Sequence, residues 1–308
     1  MQERKPEQLR YEVSETRRPI SAGAEKHIGE VIPILDQGFV YLVDYMGTDQ
    51  SIEQAARVSY GTGTRKVSET RGLIRYLMRH DHTSPFEMAE FKFHAKMPIF
   101  VARQWVRHRT ANINEYSARY SVLDREFYVP EPDVIALQSS SNKQGRGEVV
   151  DVQQAEAVRQ IIIEDAVRNY DHYNGMIDSG IAKEIARINL NVNFYTQWYW
   201  KIDLHNLFHF LMLRKDGHAQ WEIRQYADAI GEIVKDSVPL AWEAFSDYQL
   251  NAVKLSGQEK EVFANLVRAR GGFSESEIFE MAKRIGMAGK GELTEVIEKF
   301  RKMGLIKK

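Results

Sequence analysis

Across residues 86–96 (FEMAEFKFHAK) side chains alternate: Phe91, Phe93 and Ala95 fall to one side, Lys92, His94 and Lys96 to the other. A period of two belongs to a half-buried strand, so the chain must build a sheet with one covered face. Residues 38–45 (GFVYLVDY), aromatic and β-branched, read as another strand. Most other patterned stretches are helical. Residues 51–58 and 68–79 carry helical spacing, and Pro98 suits the first position of a helix predicted over 99–109. A long helix is expected over 152–177 and a short one over 181–187. Asp203 reads as the N-cap of a helix over 204–214, and 220–245 as the last long helix of the body. Few strands among many helices, without βαβ alternation, predict an α+β fold. Its expected form is a central, mostly antiparallel sheet flanked by long helices, with a small helical C-terminal extension.

Three segments are expected: an N-terminal extension over 1–31, a main domain over 32–250, and a helical extension over 255–308. Residues 1–31 are polar, with charges of both signs, and read as loose or late-packing. Residues 60–65 (YGTGTR) and 137–147 (LQSSSNKQGRG) read as loops. In the C-terminal segment Ser274 and Glu277 have the spacing of a capping box. Residues 251–308 hold twelve Lys or Arg against eight Asp or Glu, or +4, which leaves −5 for the rest of a chain of net charge −1. This segment resembles a helix-turn-helix or winged-helix module, and its charge permits nucleic-acid contact. A small helical cap packed on the body or on a neighbour is the favoured reading, and nucleic acid is not expected as a partner.

The 308 residues include no cysteine, which removes disulfides, zinc–thiolate sites, iron–sulfur clusters and thiol nucleophiles together. No apolar run approaches the ~20 residues a bilayer span needs, and the charged N-terminus is followed by no apolar segment of a signal peptide. A cytoplasmic protein without membrane association is expected. No GxGxxG or P-loop is present, so a bound nucleotide would need another device.

Chemistry concentrates in residues 104–119 (QWVRHRTANINEYSAR). Gln104, Arg107 and His108 stand at i, i+3 and i+4, which would put them on one helix face. Arginine forks recognise phosphate oxygens, while amides and a carboxylate read the edges of a heterocycle. A solvated, charged helix end has the same composition. Composition alone leaves both readings open.

The same residues carry a resemblance. Arg107-His108-Arg109, seven residues, then Ser117 resembles the RHR-x7-S signature of flavin-dependent thymidylate synthases, and Asn114, Glu115 and Arg119 fit its longer form. Asn112 stands where that form often has serine. Residues 56–59 (ARVS), 82–87 (HTSPFE), 98–109 (PIFVARQWVRHR), 186–187 and 211–222 (LMLRKDGHAQWE) also resemble family segments, so the resemblance spans about residues 32–248.

The resemblance implies reductive methylation of dUMP to dTMP, with 5,10-methylenetetrahydrofolate as one-carbon donor, NADPH-reduced FAD as hydride source, and no metal. It implies a homotetramer with active sites shared between subunits. Gln104, Arg107, Glu115, Tyr116, Ser117, Ala118, Arg119, Arg187 and Arg214 match positions for dUMP. Ser59, His82, Ser84, Glu87, Arg107, His108, Arg109, Glu115, Asp203, His205 and His209 match positions around FAD, although some relatives carry Asn and Arg in place of Asp203 and His205. Catalytic work falls to Arg214 and Ser117.

Physical chemistry constrains those roles. C5 of uracil is a poor nucleophile, and with no cysteine to add at C6 the ring must be activated by a nearby cation. Arg214 matches that position and stays charged at any working pH. No base is legible beside Ser117, so a substrate hydrogen bond is favoured over nucleophilic attack. His205 and His209 have an i, i+4 spacing that zinc could use, but no third ligand is legible and no metal is expected. At 100° per residue Asp203, Leu207, Phe210 and Arg214 share one face of their helix, with His205 and His209 directed largely away. That opposition argues for sites assembled between subunits. The aromatic run 194–200 reads as core or interface before it reads as a stacking platform. Two competing readings remain: a nucleic-acid binder built on the RHR segment and the C-terminal module, and a flavin or nucleotide enzyme of another reaction.

Overall fold

The computed structural model describes residues 5–58, 70–140, 143–287 and 289–307. The chain divides into two compact units, Met1–Thr64 with His82–Glu243, and Arg65–Asp81 with Ala244–Lys308.

The first unit is organised by strands β1 (Ile32–Ile34), β2 (Gly38–Met46), β3 (Glu90–Pro98), β4 (Asn112–Glu115), β5 (Ala136–Gln138), β6 (Arg146–Val149) and β7 (Tyr195–Asp203). Five form one sheet in the order β1-β2-β3-β7-β4, every neighbouring pair antiparallel, while β5 and β6 pair separately. The register sets Phe93 against Trp200 and Ala95 against Trp198, so the alternation of β3 is matched by its partner. Phe91, Phe93, Ala95, Trp198, Trp200 and Ile202 are all buried on one face. The other face holds Lys92, His94 and Lys96 opposite Lys201, Tyr199 and Gln197. The expected α+β architecture is present.

The helices of this unit are α1 (Pro6–Tyr11), α2 (Ala22–His27), α3 (Asp49–Val58), α5 (Ser84–Glu87), α6 (Ile99–Trp105), α7 (Val152–Asp178), α8 (Lys183–Ala186), α9 (Leu204–Arg214) and α10 (Trp221–Ser237), followed by α11 (Pro239–Phe245). The second unit supplies α4 (Thr70–Arg79). Helices α6 and α9 contact the central strands and pack with α10. Burial of Ile223, Tyr226, Ala227, Ile230, Ile233 and Val234 follows the helical period and drives that packing. Trp105, the last residue of α6, meets Trp198 and Trp200 edge to face with ring centres 5.6 and 5.1 Å apart. A Cβ on Gly38 would collide with the Tyr226 hydroxyl, so the β1–β2 hairpin reaches α10 only with glycine there.

Several local expectations need correction. Strand β3 begins at Glu90, because Ser84–Glu87 close one helical turn first. Helix α6 stops at Trp105, not Arg109, so Gln104 does not share a helix face with Arg107 and His108. The polar stretch after it contains edge strand β4, and the aromatic run is central strand β7. The stretch 137–147 contains part of the β5–β6 pair. The 220–245 helix breaks at Pro239, which has no N–H to continue the ladder. The buried carboxylate of Asp49 accepts from Leu240 N–H and Ala241 N–H at 3.0 and 2.9 Å and caps the new helix. The 1–31 segment is not uniformly loose: Ala24 is fully buried, and Ser21 Oγ donates to the Ser237 carbonyl at 2.7 Å. The 60–65 loop lies outside the described residues.

In the second unit, the turn Ser246–Leu250 leads to α12 (Gly257–Ala269), α13 (Glu275–Arg284) and α14 (Lys290–Lys302). The capping box of Ser274 and Glu277 is formed, and Ser256 and Glu259 form a second. Ala264, Ile278, Ala282, Leu293 and Leu305 make a small core. Beside it Arg75 Nε donates to Glu292 Oε1 at 2.9 Å and Arg79 Nη2 to Glu295 Oε1 at 2.8 Å, and Tyr248 Oη accepts from both arginines.

Candidate active site

The motif segment leaves α6, crosses the edge of the sheet as β4 and turns back, and it presents two groups of side chains. The first lines a cleft of about 290 Å³ formed by Glu115, Tyr116, Ser117, Ala118 and Arg187, with Ile99, Leu123, Leu190, Tyr195 and Thr196. Glu115 sits here because β4 pairs with β7 in register. Its Oε1 accepts from the Thr196 hydroxyl at 2.7 Å. Ser117 Oγ accepts from the Arg119 N–H at 3.3 Å, and among the described residues it bonds no histidine or carboxylate. It therefore lacks the base a nucleophilic serine needs. Arg187 begins a 3-10 turn directly after α8, and Arg119 pairs with Glu184 of α8 at 3.0 Å.

The loop is pinned from α7. Tyr173 Oη accepts from the Leu123 N–H at 3.1 Å, and Tyr170 Oη donates to the Leu123 carbonyl at 2.8 Å. Both hydroxyls come from a cluster that buries Leu123, Ala166, Tyr170, Tyr173, Ala186 and Phe194.

The second group surrounds His108. Arg214, the last residue of α9, donates from Nε to His108 Nε2 at 2.9 Å and from Nη2 to the Gln104 carbonyl at 3.2 Å. Gln104 in turn donates its side-chain amide to Gln220 at the N-cap of α10. The His108 ring lies edge-on to Phe210 at 5.0 Å and 6.0 Å from the His209 ring. Burial, then the charges of Arg214 and His209, push the His108 pKa down to about 4. Burial also lowers the Arg214 pKa. The helix-face expectation is corrected here: Arg214 and His209 are not segregated, because both reach one imidazole.

The two groups draw on different residues of helix α6. Ile99 lines the cleft and Gln104 belongs to the second group, five residues on, which is about 7.5 Å along the axis and ~140° around it. Arg107 and Arg109 are exposed beyond the helix end.

Of the remaining expected residues, Ser84 and Glu87 lie on α5, which packs on α9 through Phe86 and Phe208 with ring centres 6.5 Å apart. His82 precedes this turn and is exposed, and Glu87 accepts from the Thr83 hydroxyl at 3.2 Å. Asp203 caps α9, accepting from the Asn206 N–H at 3.0 Å and from its side-chain amide at 2.7 Å. His205 is half-buried and His209 exposed. Ser59 lies outside the described residues. Thr196 and Gln220 were not singled out from the sequence. Thr196 was hidden by the unread strand β7. Gln220 lies within the matched 211–222 segment but outside its charged residues.

Among the described residues no group of three or more His, Asp or Glu is placed to hold a metal, and no helix is long and apolar enough to cross a membrane.

The Thy1 family model, described as thymidylate synthase complementing protein, matches residues 41–240. The chain is 58% identical over 253 residues to a flavin-dependent thymidylate synthase of Ruegeria pomeroyi, covering 81% of this chain and 84% of that one. It is 51% identical over 284 residues to one of Wolbachia pipientis wMel, covering 92% and 98%. Among solved structures it is similar to a UMP/dUMP methylase, PolB of Streptomyces cacaoi, bound with 5-Br UMP. The TM-score is 0.65 at 34% identity, covering 71% of this chain and 98% of that chain.

Proposed function

The chain belongs to the flavin-dependent thymidylate synthase family, and from that premise we propose how its two residue groups form one catalytic site. The enzyme is a methyltransferase that converts dUMP to dTMP with FAD. Its co-substrates are 5,10-methylenetetrahydrofolate and NADPH, and it works in the cytoplasm.

The cleft of Glu115–Ala118 and Arg187 takes the nucleotide, with Arg119 at its rim. Ser117 offers a hydroxyl to the substrate, and the free oxygen of Glu115 accepts from a ribose hydroxyl. Arg107, Gln104 and Arg214 approach from the other side: Arg107 meets phosphate, and Arg214 faces the uracil ring. A fixed guanidinium favours the uracil ring ionised at N3 by stabilising its charge at O4 or O2, and that anion carries more electron density at C5. C5 would bond the folate's methylene carbon and lose its proton to solvent, the methylene–nitrogen bonds would break to release tetrahydrofolate, and a hydride would complete the methyl group. Ser117 and Arg214 thus share the catalytic work without a covalent enzyme intermediate.

The residues also fit a flavin dinucleotide. Arg107 and Arg109 are exposed cations suited to a diphosphate. His82, Ser84, His205 and His209 add polar groups on or beside α5 and α9, Glu87 adds an acceptor there, and His108 joins them from beyond α6; Ser59 and Glu115 belong to the same set by the resemblance. Asp203 contributes by holding the helix that carries the histidines. When bound, FAD supplies the hydride.

The observation that carries this reading is the split of the nucleotide residues across α6. One chain offers them on two sides of a helix, so a homotetramer whose sites each draw on two subunits explains why both sets are needed. The test is release of tritium from [5-³H]dUMP by the purified enzyme with FAD, NADPH and methylenetetrahydrofolate. Tritium in water together with dTMP formation supports the reading, and flavin reduction without tritium release would replace it with another flavin reaction.

A further inference from the structure

We propose that His108 is a two-sided positioning residue: its unprotonated Nε2 orients Arg214, and its Nδ1–H is a donor for an acceptor atom of the flavin dinucleotide. The proposal rests on the functional reading above and goes beyond it, because it names the tautomer and the chemistry on each side of the ring.

Donor and acceptor counts fix the position of the imidazole proton. A guanidinium has five N–H donors and no acceptor. The 2.9 Å contact from Arg214 Nε therefore requires a lone pair on His108 Nε2. A neutral imidazole has one acceptor and one donor nitrogen, so the proton must sit on Nδ1. Among the described residues Nδ1 makes no hydrogen bond. The ring is held by the edge of Phe210 at 5.0 Å.

The charged groups facing it agree. Arg214 and His209 come from α9, the Gln104 carbonyl from α6 meets the same guanidinium, and Arg107 and Arg109 flank it in sequence. A second proton would set imidazolium against guanidinium and break the bond. Burial together with those charges disfavours that proton. Arg214 is thereby fixed at two points, through Nε and Nη2, and its other N–H groups remain for the nucleotide. One imidazole thus joins the nucleotide arginine to the flavin pocket.

Two isosteres separate the two sides. Glutamine places an oxygen near the Nε2 position and can still accept from Arg214, whereas asparagine places an N–H near Nδ1 and cannot. Binding of dUMP and of FAD to the full-length protein is measured by calorimetry and flavin absorbance. His108→Asn should weaken dUMP roughly ten- to a hundredfold, as for one lost charge-assisted hydrogen bond, and leave FAD within about threefold. His108→Gln should do the reverse. Parallel loss of both ligands in both variants would overturn the proposal.

Nitrogen-15 chemical shifts of the wild-type imidazole give a second reading that needs no variant. They should show a bare Nε2 and a protonated Nδ1; a proton on Nε2 would overturn the proposal. Wild-type protein that binds neither ligand would instead overturn the functional reading.

Discussion

Arg214 closes α9 by donating its Nε–H to His108 Nε2 across 2.9 Å, joining a residue of the expected nucleotide set to one of the expected flavin set. The bond fixes a cation whose field, not its proton, is used. Replacing Arg214 by alanine should lower dTMP formation by about 10²–10³, the scale for loss of one preorganised charge-stabilising group. FAD should remain bound. Steady-state rates beside the flavin absorbance band check this, and loss of FAD as the main effect would assign Arg214 to the other ligand.

The imidazole should titrate far from its ordinary position. His108 is held down to about 4, with burial the largest cause and Arg214 the second. Because the folded value lies below the unfolded 6.5, the unfolded chain takes up the proton first. This group therefore favours folding above pH 6.5 and loses that contribution as pH falls toward 4. An NMR titration of the ring should give a midpoint near 4. In Arg214→Ala the midpoint should rise yet stay below 6.5, since burial persists. A wild-type midpoint near 6.5 would contradict the geometry.

Tyr173 tests the support of the cleft. Its hydroxyl is the partner of the Leu123 N–H, six residues past Ser117. Tyr173→Phe leaves that buried N–H unpaired and should cost about 1–2 kcal/mol of stability by urea unfolding. The KM for dUMP should rise more than kcat falls, because the change loosens the loop and removes no reacting group. An unchanged KM would separate the loop anchor from substrate binding.

These relationships were unequally legible in the sequence. Asp203 announced the start of α9, the β3 alternation announced the sheet, and Ser274 with Glu277 announced α13, because each is a local signal with a local cause. Strand β7 was missed because Tyr195, Gln197 and Tyr199 interleave with Trp198 and Trp200, so its outward face is nearly as aromatic as its inward one. Strand β4 is a polar edge strand that exists through pairing with β7. The end of α6 at Trp105 follows from burial of that indole under β7, which local propensity does not report. The residues proposed for dUMP and FAD were reached through the motif and the other family-like segments, but the contact of His108 with Arg214 joins residues 106 positions apart and needed the fold.

The second unit should respond to loss of its buried ion pair. Arg75 and Glu292 are 7% and 8% exposed, so removing Arg75 leaves a buried carboxylate with only Tyr248 and a 3.7 Å approach of Arg79. Arg75→Ala should destabilise this unit by roughly 3 kcal/mol or more, the usual scale for a broken buried pair. Glu295, paired with Arg79, is held below the usual carboxylate range. Its contribution is present above pH 4.5 and is lost as pH falls through the lowered value. Chemical unfolding at pH 7 and pH 4 checks both; an unaffected Arg75→Ala protein would show that the network carries no stability.

The most direct test of the shared site is complementation between two inactive variants. Ser117→Ala with Arg187→Ala disables the cleft, and Arg214→Ala disables the opposing group. Each protein alone should be nearly inactive. Co-expressed with different tags and purified through both, mixed oligomers should recover activity at about a quarter of their sites, the share that draws an intact cleft and an intact Arg214 from different subunits. Doubly tagged oligomers as inactive as either parent would contradict the account and return the whole site to a single chain.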